Sequence, residues 1–287
     1  MEGKRNMSKS KVYNLQKTAT EARRWILKML TAAGNGHPGG SLSAIDIITT
    51  LFFDEMKTNP KEPTWADRDR FILSKGHAVP ALYATLALKG YFKPEETLSL
   101  RKLGSPFQGH PDRMRMPAVE ACTGSLGQGL SIAQGIALNA RIEKKDYRVY
   151  CLMGDGETQE GQVWEAAMSI PHHKITNICV FLDLNRYQID GTTEEVLSLG
   201  EIEKKFQAFG WNTIRIDGHN FEQILSALAK ARAEKTKPTI VIADTVKGKG
   251  VSYMENVNKW HGSSPNAEEL KKALSEMDQY EQSLQEA

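Results

Sequence analysis

The stretch that decides the fold is Arg148-Val149-Tyr150-Cys151-Leu152-Met153-Gly154-Asp155-Gly156. Its first six residues, Arg148–Met153, are largely apolar, which predicts a strand buried on both faces. Gly154-Asp155-Gly156 then ends that strand in a turn, since Asp and Gly are typical turn residues. Asn185, thirty residues after Asp155, ends a second and almost wholly apolar run, Asn177–Leu184. The two runs predict buried strands that are each followed at once by a polar side chain.

The rest of the chain alternates in the same way. Three more short apolar runs predict strands, at Arg70–Ser74, Thr213–Ile216 and Thr239–Thr245. Helical spacing of apolar residues predicts helices between and around them, at residues 17–33, 43–56, 78–89, 94–101, 126–142, 161–170, 201–209, 221–234 and 267–284. Ser43 and Asp46 have the spacing of a capping box, so we expect Ser43 to be an N-cap.

Buried strands separated by helices are typical of a parallel sheet. We therefore predict an α/β fold with a doubly wound, mostly parallel sheet and helices on both faces. With no linker or internal repeat, residues 1–287 are expected to form a single domain with a helical N-terminal extension. Residues 1–10 are polar and basic, and we expect them to form a flexible tail.

The ends of the two central strands should meet. One helix between Asp155 and Asn185 makes the strands parallel, and neighbouring strands lie about 5 Å apart. Ligands bind at the carboxyl ends of such sheets. A carboxylate and an amide oxygen there suit Mg²⁺, which also accepts phosphate oxygens, so a diphosphate is the natural co-ligand. The alternative is an ordinary strand-to-turn Asp-Gly, because both residues are common in turns.

Composition excludes several classes of function. Lys and Arg number 37 against 35 Asp and Glu, a net charge of +2, so no general nucleic-acid or anionic-membrane surface is expected. No apolar stretch approaches the length of a membrane span, and no secretory signal is present. The 3 cysteines are sparse, without the spacing of a metal site, and favour a reducing compartment. A cytoplasmic protein is expected.

Several motifs extend the pattern beyond this one site. They are Gly34-Asn35-Gly36-His37-Pro38-Gly39-Gly40, Ser74-Lys75-Gly76-His77-Ala78, Gly109-His110-Pro111, Gly124-Ser125-Leu126-Gly127-Gln128-Gly129, Gly154-Asp155-Gly156-Glu157-Thr158-Gln159-Glu160-Gly161 with Leu182-Asp183-Leu184-Asn185, and Trp260-His261-Gly262. In this order they resemble the motifs of transketolases over about residues 15 to 265. The chain is similar to the N-terminal, diphosphate-binding domain of that family. The resemblance implies the thiamine-diphosphate-binding fold, with thiamine diphosphate and Mg²⁺ as cofactors.

The resemblance also implies roles for individual residues. Asp155 and Asn185 match side-chain ligands of Mg²⁺, and Tyr187 matches a residue that supplies a backbone carbonyl to the metal. The positions that match contacts to the cofactor are His77, Gly124, Ser125, Leu126, Asp155, Gly156, Asn185, Lys247 and His261. Leu126 matches a position near the thiazolium ring, and Lys247 one near the diphosphate.

Four histidines match positions that line the substrate channel or reach the reacting sugar: His37, His77, His110 and His261. The implied reaction transfers a two-carbon ketol unit from a ketose phosphate to an aldose phosphate. It moves hydroxyl protons at near-neutral pH, which imidazole does well. Glu160 and Glu165 match acidic residues near the subunit interface of the family, although a glutamate in a first helical turn also simply stabilises the helix.

The remaining histidines are interpreted structurally. We expect His172 and His173 to lie at a solvated helix end, and His219 to be a turn or helix-cap residue. For Asp183 and Asp190, a place in a structural turn and a role in tuning the metal site are equally supported by the sequence.

Single-chain members of the family are about twice this length and add a pyrimidine-binding domain and a C-terminal domain. The resemblance therefore implies an N-terminal subunit that pairs with a separate C-terminal transketolase subunit, as an α₂β₂ assembly acting on sugar phosphates. A piece of a longer enzyme is the alternative. Other readings are a deoxyxylulose-phosphate synthase-like or 2-oxoacid dehydrogenase α-like subunit, a non-catalytic cofactor-binding homologue, or a generic nucleotide-binding protein. The last is disfavoured because no GxGxxG or Walker pattern follows a strand.

Overall fold

The computed structural model describes the backbone of residues 2–286 and the side chains of residues 9–285. Its centre is a five-stranded sheet of order β1-β2-β3-β5-β4, in which every pair of neighbours is parallel. The strands are β1 (Arg70–Leu73), β2 (Val149–Gly154), β3 (Ile178–Leu184), β4 (Asn212–Asp217) and β5 (Thr239–Asp244). All five strands predicted from the sequence are confirmed.

Helices connect and cover these strands. They are α1 (Glu2–Ala33), α2 (Pro38–Thr50), α3 (Val79–Lys89), α4 (Gln128–Ile142), α5 (Gly161–His172), α6 (Thr193–Leu197), α7 (Ile202–Ala208), α8 (Phe221–Ala233) and α9 (Ala267–Glu286). A π-helical turn at Leu51–Glu55 follows α2, and the helix expected at residues 94–101 is a short 3₁₀ turn, Pro94–Ser99. Within residues 2–286, no helix is both long and apolar enough to cross a bilayer.

Successive residues of the strands point into two separate cores. Tyr150 and Cys179 pack with α1, α2, α3, α8 and α9 on one face of the sheet. Cys151 and Val180, the next residue along each strand, pack with α4, α5 and α7 on the other face. This alternation is the two-residue period of a strand. Because both faces are covered, the predicted α/β architecture is confirmed.

The N-terminal part differs from the prediction in two places. Helix α1 begins at Glu2, so residues 2–10 of the expected tail belong to its first turns, while Met1 lies outside the described residues. Helix α2 begins at Pro38, which suits the first helical position because its ring presets the helical φ angle. The prediction of Ser43 as an N-cap is therefore wrong: Ser43 lies inside α2, fully buried.

The parallel sheet brings the carboxyl ends of its five strands to one edge. Gly154 pairs with Asp183 across β2 and β3, and Leu184 pairs with Asp244 across β3 and β5. Asp155 and Asn185, the residues that follow β2 and β3, therefore lie side by side. Ligands of parallel α/β sheets bind at this edge. The fold thus places the predicted ligand-binding side chains together.

Candidate active site at the carboxyl ends of the strands

A cavity of about 340 Å³ opens at this edge of the sheet. Among its lining residues are twelve that the sequence predicts as site residues: His37, His77, His110, Gly124, Leu126, Asp155, Gly156, Glu160, Asn185, Tyr187, Lys247 and His261. The first, His37, lies just before α2, while His261 lies far along the chain in a 3₁₀ turn after β5. The fold therefore gathers residues from across the chain into one chamber.

The turn after β2 holds the Asp155 carboxylate by backbone donors. Gly156 donates its N–H to Asp155 Oδ1 at 2.7 Å, and the N–H of Arg186 bonds to Oδ2. Asp155 is only 2% exposed. Burial, followed by the negative charge of Asp183, raises the pKa of Asp155 to about 6. Lys75 offsets this rise only in part, and no described side chain forms an ion pair with Asp155, so its surroundings suit a divalent metal ion.

Asn185 presents its amide oxygen on the same side. Its Nδ2 donates to Asp183 Oδ2 at 3.3 Å, which leaves Oδ1 to accept from the N–H of Tyr187 at 3.1 Å. A carbonyl oxygen has a second lone pair, so Oδ1 retains capacity for a metal. Among the described side chains, no group of three or more His, Cys, Asp or Glu residues could hold a metal. A cation here would need further oxygen atoms from a ligand, as Mg²⁺ bound to phosphate does.

A buried ion pair that was not predicted lies beneath these two residues. Lys75, 1% exposed, bonds through its ammonium group to Asp183, which is fully buried. Ser43 Oγ donates to the same carboxylate at 2.6 Å, and the hydroxyl of Thr245 bonds to it as well. Burial favours the neutral acid, but the Lys75 charge and these bonds outweigh it and lower the pKa of Asp183. Asp183 thus stays ionised as a structural partner of Lys75.

Glu157 is a second buried acid that was not predicted. It accepts from the N–H of Gly127 at 2.9 Å, from the N–H of Gly154 at 3.0 Å, and from the Ser74 hydroxyl. One carboxylate therefore joins the end of β1, the start of α4 and the end of β2. Burial raises the pKa of Glu157. The sequence offered one signal for Lys75 and Glu157, which is that both lie within motifs that line the site.

The four predicted histidines form a cluster at the mouth of the cavity. The ring centroid of His37 lies 5.3 Å from that of His77, 6.3 Å from His110 and 5.7 Å from His261. His77 and His261 are stacked at 5.3 Å. The Nδ1 atom of His37 is buried and has no hydrogen-bond partner among the described residues, so it can bond to a ligand in the cavity.

Burial and nearby cations keep these imidazoles neutral. Burial, followed by the positive charge of Arg101, lowers the pKa of His37 to about 4. Burial, followed by the charge of Lys247, lowers the pKa of His261 to about 3. Burial is also the main cause that lowers the pKa values of His77 and His110. Neutral imidazoles can both accept and donate a proton, which is what a proton-transfer site requires.

Lys247 also lines the cavity. It is 1% exposed, its Nζ lies 2.8 Å from His261 Nδ1, and it lies 5.8 Å from the ring centroid of Tyr187. Burial, followed by repulsion from Lys75, lowers the pKa of Lys247 to about 8. Because Lys75 is paired with Asp183, it is Lys247 that presents a buried ammonium group to an anionic ligand such as a diphosphate.

Three predicted site residues lie at or beyond the rim. Glu160 lines the cavity and is exposed. Ser125 and Glu165 are also exposed, and neither is among the residues that line the cavity. The structure therefore does not bring Ser125 and Glu165 together with the other predicted residues. His172 and His173 lie at the exposed end of α5, as predicted.

The fold and site together define a class of protein. A parallel α/β sheet places oxygen donors at two adjoining strand ends. Two buried lysines and four neutral histidines line the same cavity. Such a site fits a metal-linked diphosphate that serves proton-transfer chemistry.

Comparison with known proteins identifies the family. The transketolase thiamine diphosphate binding domain matches residues 15–282. The chain is 42% identical over 266 residues to an apulose-4-phosphate transketolase subunit of Phocaeicola vulgatus, across 93% of this chain and 94% of that protein. It is 42% identical over 265 residues to a 6-deoxy-6-sulfo-D-fructose transketolase subunit of a Clostridium species, across 92% of this chain and 96% of that protein.

The fold agrees with these matches. The crystal structure of transketolase from Campylobacter jejuni superposes with a TM-score of 0.87 at 36% identity, covering 92% of this chain and 42% of that chain. The present chain thus spans nearly the whole length of the two subunit relatives but less than half of the single-chain enzyme. The chain belongs to the transketolase family and contains its thiamine diphosphate binding domain.

Proposed function

We propose that this chain is the N-terminal subunit of a two-subunit transketolase, which transfers a two-carbon ketol unit from a ketose to an aldose. The observation that carries the proposal is one cavity in which Asp155 and Asn185 adjoin two buried lysines and four neutral histidines. Support comes from the two relatives named as transketolase subunits, whose lengths this chain covers almost fully. The rival readings of the sequence have no comparable observation in their favour.

The residues at the strand ends fit thiamine diphosphate with Mg²⁺. Asp155 and Asn185 would ligate the metal through side-chain oxygens, and Tyr187 through its backbone carbonyl. Gly156 packs closely against Gln188, since an added Cβ would lie 3.2 Å from Gln188 Cβ, and its backbone would lie beside the diphosphate. Lys247 would offset the charge of the diphosphate, and Gly124 and Leu126 would face the middle of the cofactor. When bound, the cofactor supplies the electron sink that carbon–carbon bond cleavage requires.

The histidine cluster is proposed to handle substrate protons. Breaking the C2–C3 bond of a ketose removes the proton of the C3 hydroxyl, and adding the two-carbon unit to an aldehyde returns one. His37, His77, His110 and His261 are neutral and converge on the cavity, so each presents a ring nitrogen to a substrate hydroxyl. An anionic ligand in the cavity would raise their lowered pKa values towards the range that proton transfer requires. Exposed Glu160 and Glu165 are proposed to serve the subunit interface.

The substrate class is proposed from chemistry shared by the relatives. Their names specify apulose-4-phosphate in one case and 6-deoxy-6-sulfo-D-fructose in the other. Both are ketoses with an anionic group far from the reacting carbonyl. We therefore propose a ketose with a terminal phosphate or sulfonate as the donor of the ketol unit.

A separate partner subunit is proposed to complete the site. The cavity supplies residues for the diphosphate, the metal and the substrate protons. A pyrimidine-binding subunit would contact the remainder of the cofactor, in an α₂β₂ assembly. A reducing compartment such as the cytoplasm is also proposed, supported by Cys151 and Cys179, which are free thiols buried in the core.

A reconstitution assay tests the proposed function. The full chain is mixed with a candidate C-terminal subunit, thiamine diphosphate and Mg²⁺, and ketol transfer is followed from xylulose phosphate to ribose phosphate, with apulose phosphate and sulfofructose as further donors. We expect turnover only when both chains are present. The matched control replaces Asp155 with Ala, which should abolish both cofactor retention and turnover.

Each other outcome contradicts a stated part of the proposal. Turnover by the purified chain alone would refute the need for a partner. Products formed from pyruvate and glyceraldehyde phosphate instead would indicate a deoxyxylulose-phosphate synthase. Calorimetric binding of thiamine diphosphate by the complex without turnover of any donor would indicate a non-catalytic homologue.

A further inference from the structure

His219 makes contacts that exceed those of a turn residue. It lies in the turn Asp217-Gly218-His219-Asn220 between β4 and α8, where Asn220 is the N-cap. Its Nδ1 lies 2.8 Å from Asp46 Oδ2 in α2, and its Nε2 accepts the N–H of Val246 at 2.9 Å. The backbone of His219 lies in a turn, as predicted, but its side chain links α2 to the segment that follows β5.

The hydrogen bonds fix the state of the imidazole. Asp46 is 2% exposed and forms two bonds to the Arg23 guanidinium, at 2.9 and 2.7 Å. Although burial opposes ionisation, the Arg23 charge and the bond from His219 lower the pKa of Asp46 to about 2. An ionised carboxylate only accepts and a backbone N–H only donates. His219 is therefore the neutral Nδ1–H tautomer.

The segment held by His219 is the one that carries Lys247. Val246 precedes Lys247, the Lys247 carbonyl accepts from Asn256 at 2.9 Å, and Gly248 donates to the carbonyl of Gly39 at 3.0 Å. Arg23 also donates from Nε to the Lys249 carbonyl at 3.2 Å. The backbone on both sides of Lys247 is thus fixed by hydrogen bonds to residues outside the segment that follows β5.

Close packing leaves this connection little freedom. A Cβ at Gly218 would lie 2.5 Å from Thr245 Cγ2 and 3.1 Å from Ala243 Cβ, so the turn before His219 lies directly against the end of β5. Gly248 has φ +81, and a Cβ there would lie 2.4 Å from the Met254 carbonyl oxygen. Small displacements of His219 must therefore be transmitted to the residues around Lys247.

We propose that His219 is a positioning residue for the anion site. Asp46 orients the imidazole ring so that Nε2 accepts the N–H of Val246. This bond fixes the backbone next to Lys247 and so keeps the Lys247 ammonium directed into the cavity. The proposal rests on the proposed function only in taking Lys247 as a contact of the diphosphate. The orientation chain runs from Arg23 through Asp46 and His219 to Val246. A carboxylate that orients an imidazole through its second nitrogen is a common device for fixing the tautomer.

Two amide substitutions separate positioning from simple structural support. In His219→Gln the side-chain amide reaches about as far as Nε2, so it can still accept from Val246. In His219→Asn the amide reaches about as far as Nδ1, so it can still bond to Asp46 but not to Val246. His219→Ala removes both contacts. The full chain is compared in these four forms.

Three measurements are made on each form. Amide hydrogen exchange at Val246 is followed by NMR without any ligand, binding of inorganic pyrophosphate with Mg²⁺ is measured by calorimetry, and the unfolding temperature is recorded. Loss of one hydrogen bond corresponds to about a tenfold effect. We expect exchange at Val246 to be about tenfold faster, and pyrophosphate binding about tenfold weaker, in His219→Asn and His219→Ala. His219→Gln should stay within about threefold of the wild type in both.

The reverse pattern would overturn the proposal. If His219→Asn behaves as the wild type and His219→Gln does not, the bond to Asp46 alone matters and His219 has only a structural role. Unchanged Val246 exchange in His219→Ala would likewise refute it. If the wild-type chain fails to bind pyrophosphate, the proposed function is contradicted, and the exchange pattern alone then decides whether His219 holds Val246.

Discussion

Asp155 and Asp183 show how neighbouring carboxylates acquire different charge states. Asp183 has the Lys75 ammonium and two hydroxyl donors, which keep its pKa below the ordinary value. Asp155 has only backbone N–H donors, and burial beside the Asp183 charge raises its pKa to about 6. Two neighbouring acids whose surroundings shift their pKa values in opposite directions can serve different roles. Asp183 supports the site, while Asp155 is the group that needs a cation.

The titration of Asp155 gives a testable pH dependence. Its pKa is higher in the folded chain than the value of about 3.9 in an unfolded one. Folding therefore takes up protons, so the wild type should lose stability relative to Asp155→Asn as pH rises from about 4 to about 6, with no further loss above. The free energy of unfolding is measured by urea denaturation at several pH values, without metal or cofactor.

The control for this series is Ser125→Ala, an exposed change at the rim that removes no titratable group. Its stability difference from the wild type should be the same at every pH. A difference between the wild type and Asp155→Asn that does not vary with pH would show that Asp155 is not the buried, unpaired carboxylate described above.

His261 gives a prediction about rate. Its ring faces the cavity and contacts Lys247 Nζ, so His261→Ala should alter chemistry more than folding. In the reconstituted two-chain enzyme we expect kcat to fall by about 100-fold or more, the usual effect of losing a proton-transfer group. The unfolding temperature should change little. His173→Ala, at the exposed end of α5, is the matched control, and an equal loss in both variants would remove His261 from the site.

Local motifs predicted most of the residues that line the cavity but not the bonds that hold them in place. Asp155, Asn185 and the loop histidines lie in glycine-rich turns whose chemistry is visible along the chain. Lys75 and Glu157 act through partners 108 and 83 positions away. Such pairings depend on strand order and on which face a side chain takes, and neither is encoded in a single motif.

At the scale of elements, the strands were predicted best, whereas the short helix α6 was missed and the starts of α1 and α2 were placed too late. A short, continuous apolar run is best accommodated as a strand in a parallel sheet whose two faces are both covered by helices. The Ser43–Asp46 pattern looks like a capping box, yet both side chains make tertiary bonds instead, Ser43 to Asp183 and Asp46 to Arg23. Long-range partners therefore override the local helix signal, and α2 extends back to Pro38.

Glu157 provides the prediction at this scale, because it joins three elements. Glu157→Gln keeps the size of the side chain but turns an NH₂ group towards at least one backbone N–H donor. The unmatched buried donors should lower the free energy of unfolding by about 1–3 kcal/mol. Urea denaturation at pH 8 measures the change. Glu165→Gln on the exposed side of α5 should stay within about 0.5 kcal/mol of the wild type, and equal effects would contradict the joining role.

At the scale of the whole molecule, the chain matches nearly the full length of some relatives and less than half of another. Its fold matches 42% of the single-chain transketolase from Campylobacter jejuni, while it matches almost the full length of two subunits. Its cavity is lined by oxygen donors, lysines and histidines. The family resemblance predicted the fold and most of the cavity lining.

The most direct test locates the metal. Crystals of the chain with its partner subunit, thiamine diphosphate and Mn²⁺ in place of Mg²⁺ are measured near the manganese absorption edge. We predict a single strong anomalous peak in contact with the Asp155 carboxylate and the Asn185 amide oxygen, and its loss in Asp155→Ala. Bound cofactor with the peak elsewhere, or with none at these two strand ends, would contradict the assignment of the site.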